Sequence, residues 1–205
     1  PNLEAGHTEV EMGDVNGDGN PDLVSIGDHY GGVYEEQGIM IWFGDGSGNW
    51  SWTHVGEDFG YGGIALGDIN NDGFIDVGYG MHHNYDGALG DQLIEAALGD
   101  GTGLNWTPYD DGLASNGEDW GMFGTDFADV NHDGLLDLGS MSFGCCNGVH
   151  VYINQGNGTW SQSWWSDPGG NGDNQINFGD VNGDGNPDLA VNFEHGSVYI
   201  GDESG

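Results

Sequence analysis

The eleven residues GDVNGDGNPDL at 13–23 return letter for letter at 179–189. Two variants lie between them, GDINNDGFIDV at 67–77 and ADVNHDGLLDL at 128–138. A unit repeated four times constrains the fold more than any other feature, because each unit must bury its apolar face against its neighbours. Each copy also carries the same oxygen-bearing side chains at positions 1, 3, 5 and 9. These are Asp14, Asn16, Asp18 and Asp22, then Asp68, Asn70, Asp72 and Asp76. The later copies supply Asp129, Asn131, Asp133 and Asp137, and Asp180, Asn182, Asp184 and Asp188. A glycine at position 6, Gly19 in the first copy, permits the sharp turn that gathers these oxygens around one ion. The carbonyl at position 7, from Asn20, Phe74, Leu135 or Asn186, adds a further ligand. Oxygen-only ligands, several of them anionic and on one flexible loop, select calcium over zinc or copper.

The first aspartates stand 54, 61 and 51 residues apart, and a glycine (Gly6, Gly60, Gly121, Gly172) stands eight positions before each. Between glycine and loop, apolar residues alternate, as in Val10/Met12, Ile64/Leu66 and Ile176/Phe178. That alternation predicts a short strand with one buried face. The third copy keeps Phe127 but has Thr125 at the place of Val10. A second strand follows each loop, as in DLVSIG and DLAVNF. A third, such as GIMIWFGDGSG at 38–48, runs into a Gly/Asp/Asn hairpin signal. Trp-bearing fourth strands (NWSWTHV, NWTPY, TWSQSWW) close three of the units. DQLIEAAL at 91–98 comes nearest to helical periodicity, yet it aligns with the third strands. A four-stranded antiparallel unit of about 50 residues, repeated around an axis, is a blade. The expectation is therefore an all-β β-propeller forming one domain over 1–205, with units near 1–55, 56–110, 111–166 and 167–205. Four units fit a small closed propeller or part of a seven- or eight-bladed one.

FGYGGIALGDINNDGFIDV at 59–77 carries a Phe-Gly followed by Gly-Asp-hydrophobic-Asn-x-Asp-Gly-x-x-Asp. In this the chain resembles the FG-GAP/VCBS repeat family, the calcium-binding blades of integrin-α-like propellers. All four units carry the metal half of the signature; Ala5, Trp120 and Asn171 replace the Phe of the other half. The resemblance implies calcium-stabilised blades in an extracellular or cell-surface protein. EF-hand loops share the first six positions but close with a bidentate Glu at position 12, where this chain has Ser25, Tyr79, Ser140 and Val191. Thrombospondin-type loops come without four intervening strands. Four calcium ions of structural role are thus expected, pinning the turn between first and second strands and coupling metal binding to folding.

The sequence has 35 acidic residues and no Lys or Arg, for a formal charge of -35. Nothing can neutralise phosphates, which excludes nucleic acid and anionic membranes as partners. No apolar run approaches the ~20 residues of a spanning helix. The chain opens at Pro1 without Met or signal segment, which reads as a processed or excerpted sequence. Its 43 Gly lack a Gly-X-Y period, and eight each of Trp, Tyr and Phe argue for a folded protein rather than an acidic tail.

Cys145 and Cys146 are the only cysteines. A vicinal bridge would be strained, because neighbouring Cα atoms lie about 3.8 Å apart; an extracellular setting favours it, with free thiols or intermolecular pairing as the alternatives. Asn49, Asn105 and Asn157 head N-x-[ST] sequons at the same hairpin of three units, which suits glycosylation or a turn role. MHHN at 81–84 matches no zinc spacing, and no nucleophile elbow is present, so no enzyme activity is expected. The expected function is an adhesion or assembly module, including a filament subunit, with a protein or glycan at the cell surface as partner. A lectin-like propeller, or a non-catalytic part of a polysaccharide-acting enzyme, is the alternative. The fourth unit ends at VYIGDESG, before a fourth strand. Its third strand is therefore expected to meet a longer parent chain or a neighbouring molecule by strand addition.

Overall fold

The computed structural model describes residues 9–26, 38–56, 60–81, 94–114, 121–144, 148–166, 175–192 and 196–205. Within them the chain is all-β, with antiparallel sheets and no helix; no helix is long and apolar enough to cross a membrane. The first sheet comprises β1 (Glu11–Gly13), β2 (Asp22–Ile26), β3 (Ile39–Gly44) and β4 (Trp50–Val55), paired in chain order. β5 (Gly60–Gly67), β6 (Asp76–Met81), β7 (Ile94–Gly99) and β8 (Trp106–Pro108) form the second. The third holds β9 (Gly121–Ala128), β10 (Asp137–Gly144), β11 (Gly148–Asn154) and β12 (Trp160–Ser166). The fourth has three described strands, β13 (Ile176–Gly179), β14 (Asp188–Val191) and β15 (Ser197–Tyr199). A single parallel bridge, Gly62 to Phe123, joins β5 to β9. First strands thus lie next to first strands, an arrangement consistent with propeller-like blades.

Burial explains the strand patterns. β6 is buried at every residue, because sheets cover both of its faces. A strand covered on both sides needs no polar alternation. The last strands are half in water, so β12 exposes Ser161, Gln162 and Ser163 while Trp160 is buried. One apolar cluster, including Val15, Ile41, Ile69, Tyr79, Leu138 and Trp160, runs through the first three sheets. A second, around Val130, Met141, Val149, Ile176 and Leu189, joins the third to the fourth.

Glycine sets how closely the sheets approach. A Cβ on Gly78 would lie 2.5 Å from the Phe127 ring, and one on Gly139 would lie 2.6 Å from Phe178. Phe127 and Phe178, ahead of the third and fourth loops, therefore sit in hollows left by the preceding sheet's second strand. Thr125 is buried despite its polarity, with its hydroxyl 3.2 Å from the carbonyls of both Gly63 and Gly78. The polar residue in the apolar register thereby ties the third sheet to the second.

Two residues depart from expectation. The alternation predicts Val10 and Met12 on a buried face, but both are exposed, while Ile64 and Ile176 at the place of Val10 are buried. No described sheet packs against that face of the first sheet, so its apolar side chains meet solvent.

Candidate metal centres

The four loops share one hydrogen-bond plan. In the first, Asp14 accepts the N–H of Asp18 at 3.0 Å and of Gly19 at 2.8 Å. Asn16 Oδ1 also accepts from Asp18 N–H, at 2.9 Å, and Asp18 accepts the N–H of Asn20 at 2.8 Å. Asp68, Asn70 and Asp72 repeat these bonds. Asp129, Asn131 and Asp133 do the same, as do Asp180, Asn182 and Asp184. Position 6 is left-handed in every copy, with φ of 86° at Gly19, 89° at Gly73 and Gly134, and 92° at Gly185. A side chain there would be strained. The turn that groups the carboxylates is built into the backbone.

Position 9 behaves differently from the other three. Asp22, Asp76, Asp137 and Asp188 are buried. Each takes the N–H of loop position 2 on one oxygen (Val15, Ile69, Val130 and Val181, at 3.1, 2.8, 3.0 and 2.9 Å). The other oxygen takes the N–H at the end of its sheet's third strand, from Gly44, Gly99, Asn154 and Gly201, each at 2.9 Å. These aspartates pin loop to sheet. Burial pushes the Asp76 carboxyl up to about 7 and Asp137 to about 6, against the opposing pull of the two N–H donors. Burial raises Asp22 as well.

Position 5 (Asp18, Asp72, Asp133, Asp184) is exposed in all four loops, on the same rim as positions 1 and 3. Among the described residues no group of three or more His, Cys, Asp or Glu forms a tight metal cage. The loops fit a hard cation by donor chemistry: two carboxylates and an amide oxygen per turn, a backbone carbonyl at position 7, and a second lone pair on the position-9 carboxylate.

Position 4 is a residue that motif reasoning passes over. It is left-handed in each loop, at Gly17, Asn71, His132 and Gly183, with φ of 70°, 60°, 61° and 79°. Where it carries a side chain, that side chain reaches the next loop. Asn71 donates to the Gly134 carbonyl at 2.8 Å, and His132 Nε2 lies 3.0 Å from Asn186 Oδ1. Its residue types, Gly, Asn and His, are the available sequence signal, since they tolerate this conformation.

Other candidates stand apart from the loops. Asn49 and Asn105 donate their amides to Asp45 and Asp100, both at 2.7 Å. The Asn49 amide and then backbone N–H groups hold the Asp45 carboxyl below the usual range. Asn157 instead accepts from the Thr159 hydroxyl at 2.7 Å. All three asparagines are exposed at hairpins. Cys145, Cys146, His82 and His83 lie outside the described residues. His150, in β11, is buried, with its ring 6.1 Å from Tyr152 and 6.4 Å from Trp165. Glu9, Glu11 and Asp126 face one another from the first and third sheets; burial first, then mutual charge, raises Glu9 and Glu11, and burial raises Asp126.

A family model for the FG-GAP-like repeat matches residues 14–79 and 141–191, more than half of the chain. The chain belongs to the FG-GAP-like repeat family. The matched FG-GAP-like segments contain the first, second and fourth loops entire. Comparison with curated protein sequences returns no match. Among solved structures, the FG-GAP-like chain is similar to one described as "specific recognition of non-reducing terminal N-acetylglucosamine" by an Agrocybe aegerita lectin. The TM-score is 0.56 at 20% identity, over 95% of this chain and 48% of that one. This chain thus spans about half the length of that lectin, and at this identity the likeness is one of fold.

Proposed function

We propose that the chain is a calcium-stabilised β-propeller unit that works outside the cell by recognition and assembly rather than by catalysis. The fourfold loop, with its exposed carboxylates held on a preformed left-handed turn, carries this reading. Asp14, Asn16, Asp18 and Asp22, with the Asn20 carbonyl, would hold the first ion, and the equivalent residues would hold the other three. Calcium supplies the positive charge that a chain without Lys or Arg cannot supply itself. Four ions would bring the formal charge from -35 to about -27. Chelation should lower the melting temperature by about 10 °C or more, and calcium should restore it. An unmoved transition on chelation would remove the calcium assignment.

A second reading is glycan binding, favoured by a groove between the third and fourth sheets. It is a cavity of about 370 Å³ whose lining includes Trp164, Tyr199, Asp202 and Ser204. Trp164 and Tyr199 meet edge to face at 4.9 Å. An aromatic pair beside a carboxylate and a hydroxyl suits a sugar, whose faces are apolar and whose rim is hydroxyl. The named ligand of the lectin neighbour makes N-acetylglucosamine the first sugar to try. A glycan array with wild type and Trp164→Ala tests it: the expected result is binding that the substitution abolishes.

A further inference from the structure

Contacts between successive sheets reuse the same positions. On the trailing side stand loop position 2 and two side chains of the third strand: Val15, Ile41 and Phe43 in the first unit, Val130, Val151 and Ile153 in the third. Gly103 of the second unit rests on Val15 and Phe43, and Gly205 of the fourth rests on Val130 and Ile153. On the leading side stands the residue two before the loop. Leu66 lies against Gly13, Phe127 against Gly78, and Phe178 against Gly139. Contact buries the trailing residues: Val15 is 2% exposed and Val130 4%.

Both halves of this contact recur exposed among the described residues. The trailing positions of the fourth unit, Val181, Val198 and Ile200, are 61%, 51% and 61% exposed. The leading position of the first unit, Met12, is 63% exposed, with Trp52 on the same face of the sheet through the register Met12–Leu23–Trp42–Trp52. Both faces are exposed in one molecule, and among the described residues the chain does not close them on each other. They are apolar on a chain of charge -35, which has no Lys or Arg to draw an acidic partner by charge. Their equivalents in the other units are apolar too, with Met12 standing where those units have Leu66, Phe127 and Phe178.

We propose that the trailing face of the fourth unit docks on the leading face of the first unit in a second copy of this chain, continuing the inter-sheet contact from molecule to molecule. Val181 and Ile200 of one copy then rest on Gly48 of the next, as Val15 and Phe43 rest on Gly103, and Met12 lies against Gly179, as Leu66 lies against Gly13. The contact joins two different faces, so it is head-to-tail and propagates as an open chain or closes as a ring. It deepens the assembly part of the reading above, and does not depend on glycan binding.

Sedimentation in saturating calcium tests it, with wild type, Met12→Glu and Ile200→Glu alone and in an equimolar mixture. Wild type should associate with rising concentration, while each variant should associate at least about tenfold more weakly. The mixture should form dimers and nothing larger, because each variant keeps the face that the other lacks. Both side chains are exposed, and circular dichroism with a calcium-dependent melt confirms the fold of each variant. The proposal is overturned if folded wild type stays monomeric to about 1 mM, if either variant associates as wild type does, or if mixing restores no dimer. A monomer whose melt still depends on calcium would overturn the docking and leave the calcium reading intact.

Discussion

At the scale of the residue, the aspartates of one loop do two different jobs. Asp76 is buried and accepts two backbone N–H groups, from Ile69 and Gly99. Asp72 is exposed on the rim, where water can accept the Phe74 N–H in its place. Asp76→Ala orphans two buried donors, at about 1–3 kcal/mol each. It should lower the melting temperature by roughly 10 °C even in chelator, and by more in calcium, where a ligand is lost as well. Asp72→Ala should do little in chelator and lower stability only when calcium is present, by removing one ligand of the second site. Thermal melts of both variants, each with calcium and with chelator, separate the two roles. A further pair of variants probes position 4. Asn71→Ala loses the bond to Gly134 and keeps a side chain at φ 60°, a cost of about 2 kcal/mol. Asn71→Gly loses only the bond and should cost about 1 kcal/mol in denaturant titration.

At the scale of the element, the end of each third strand must pass close under the loop. A Cβ on Gly99 would stand 2.3 Å from the Ile75 carbonyl, and the same crowding meets Gly44 at Pro21 and Gly201 at Pro187. The third sheet meets this crowding differently. Its Asn154 is buried there and turns its amide to the carbonyls of Ile69 and Leu136, at 2.7 and 3.1 Å. A side chain is therefore tolerated only where it can bond the crowding carbonyl. Gly99→Ala cannot, and should destabilise by about 1–3 kcal/mol through forced backbone displacement. Denaturant unfolding of Gly99→Ala and wild type measures it; a loss under 0.5 kcal/mol would show that the strand can shift freely.

At the scale of the whole molecule, charge governs behaviour. Glu9, Glu11 and Asp126 hold their protons more tightly in the folded chain than in the unfolded one, because burial and mutual repulsion raise them. Folding therefore takes up protons as the pH falls. Their repulsion is absent below the ordinary carboxylate range near pH 4 and grows as the pH rises through the raised folded values. Glu9→Gln should accordingly melt higher than wild type at pH 7, with the difference vanishing near pH 4; melts across that range in chelator measure it. Sodium chloride should stabilise the chelated protein modestly by screening, without replacing calcium. Full rescue by salt would reduce the loops to acidic turns.

Repeat period, strand alternation and turn glycines were legible in the sequence because they are local: GDVNGDGNPDL needs Gly19 for its backbone wherever the loop lies. The FG-GAP-like family was legible for the same reason. Other features required the sheets to be placed. Nothing in the motif separates Asp22 from Asp18, yet one is buried under strand ends and the other meets water. Thr125 looks like a lapse in the apolar register until two carbonyls from the second sheet are found at its hydroxyl. Val181 and Val15 occupy the same place in the repeat, and their exposures differ from 61% to 2%. Local chemistry fixes a turn or a ligand set, whereas burial depends on which sheet lies alongside, and only the tertiary structure decides that.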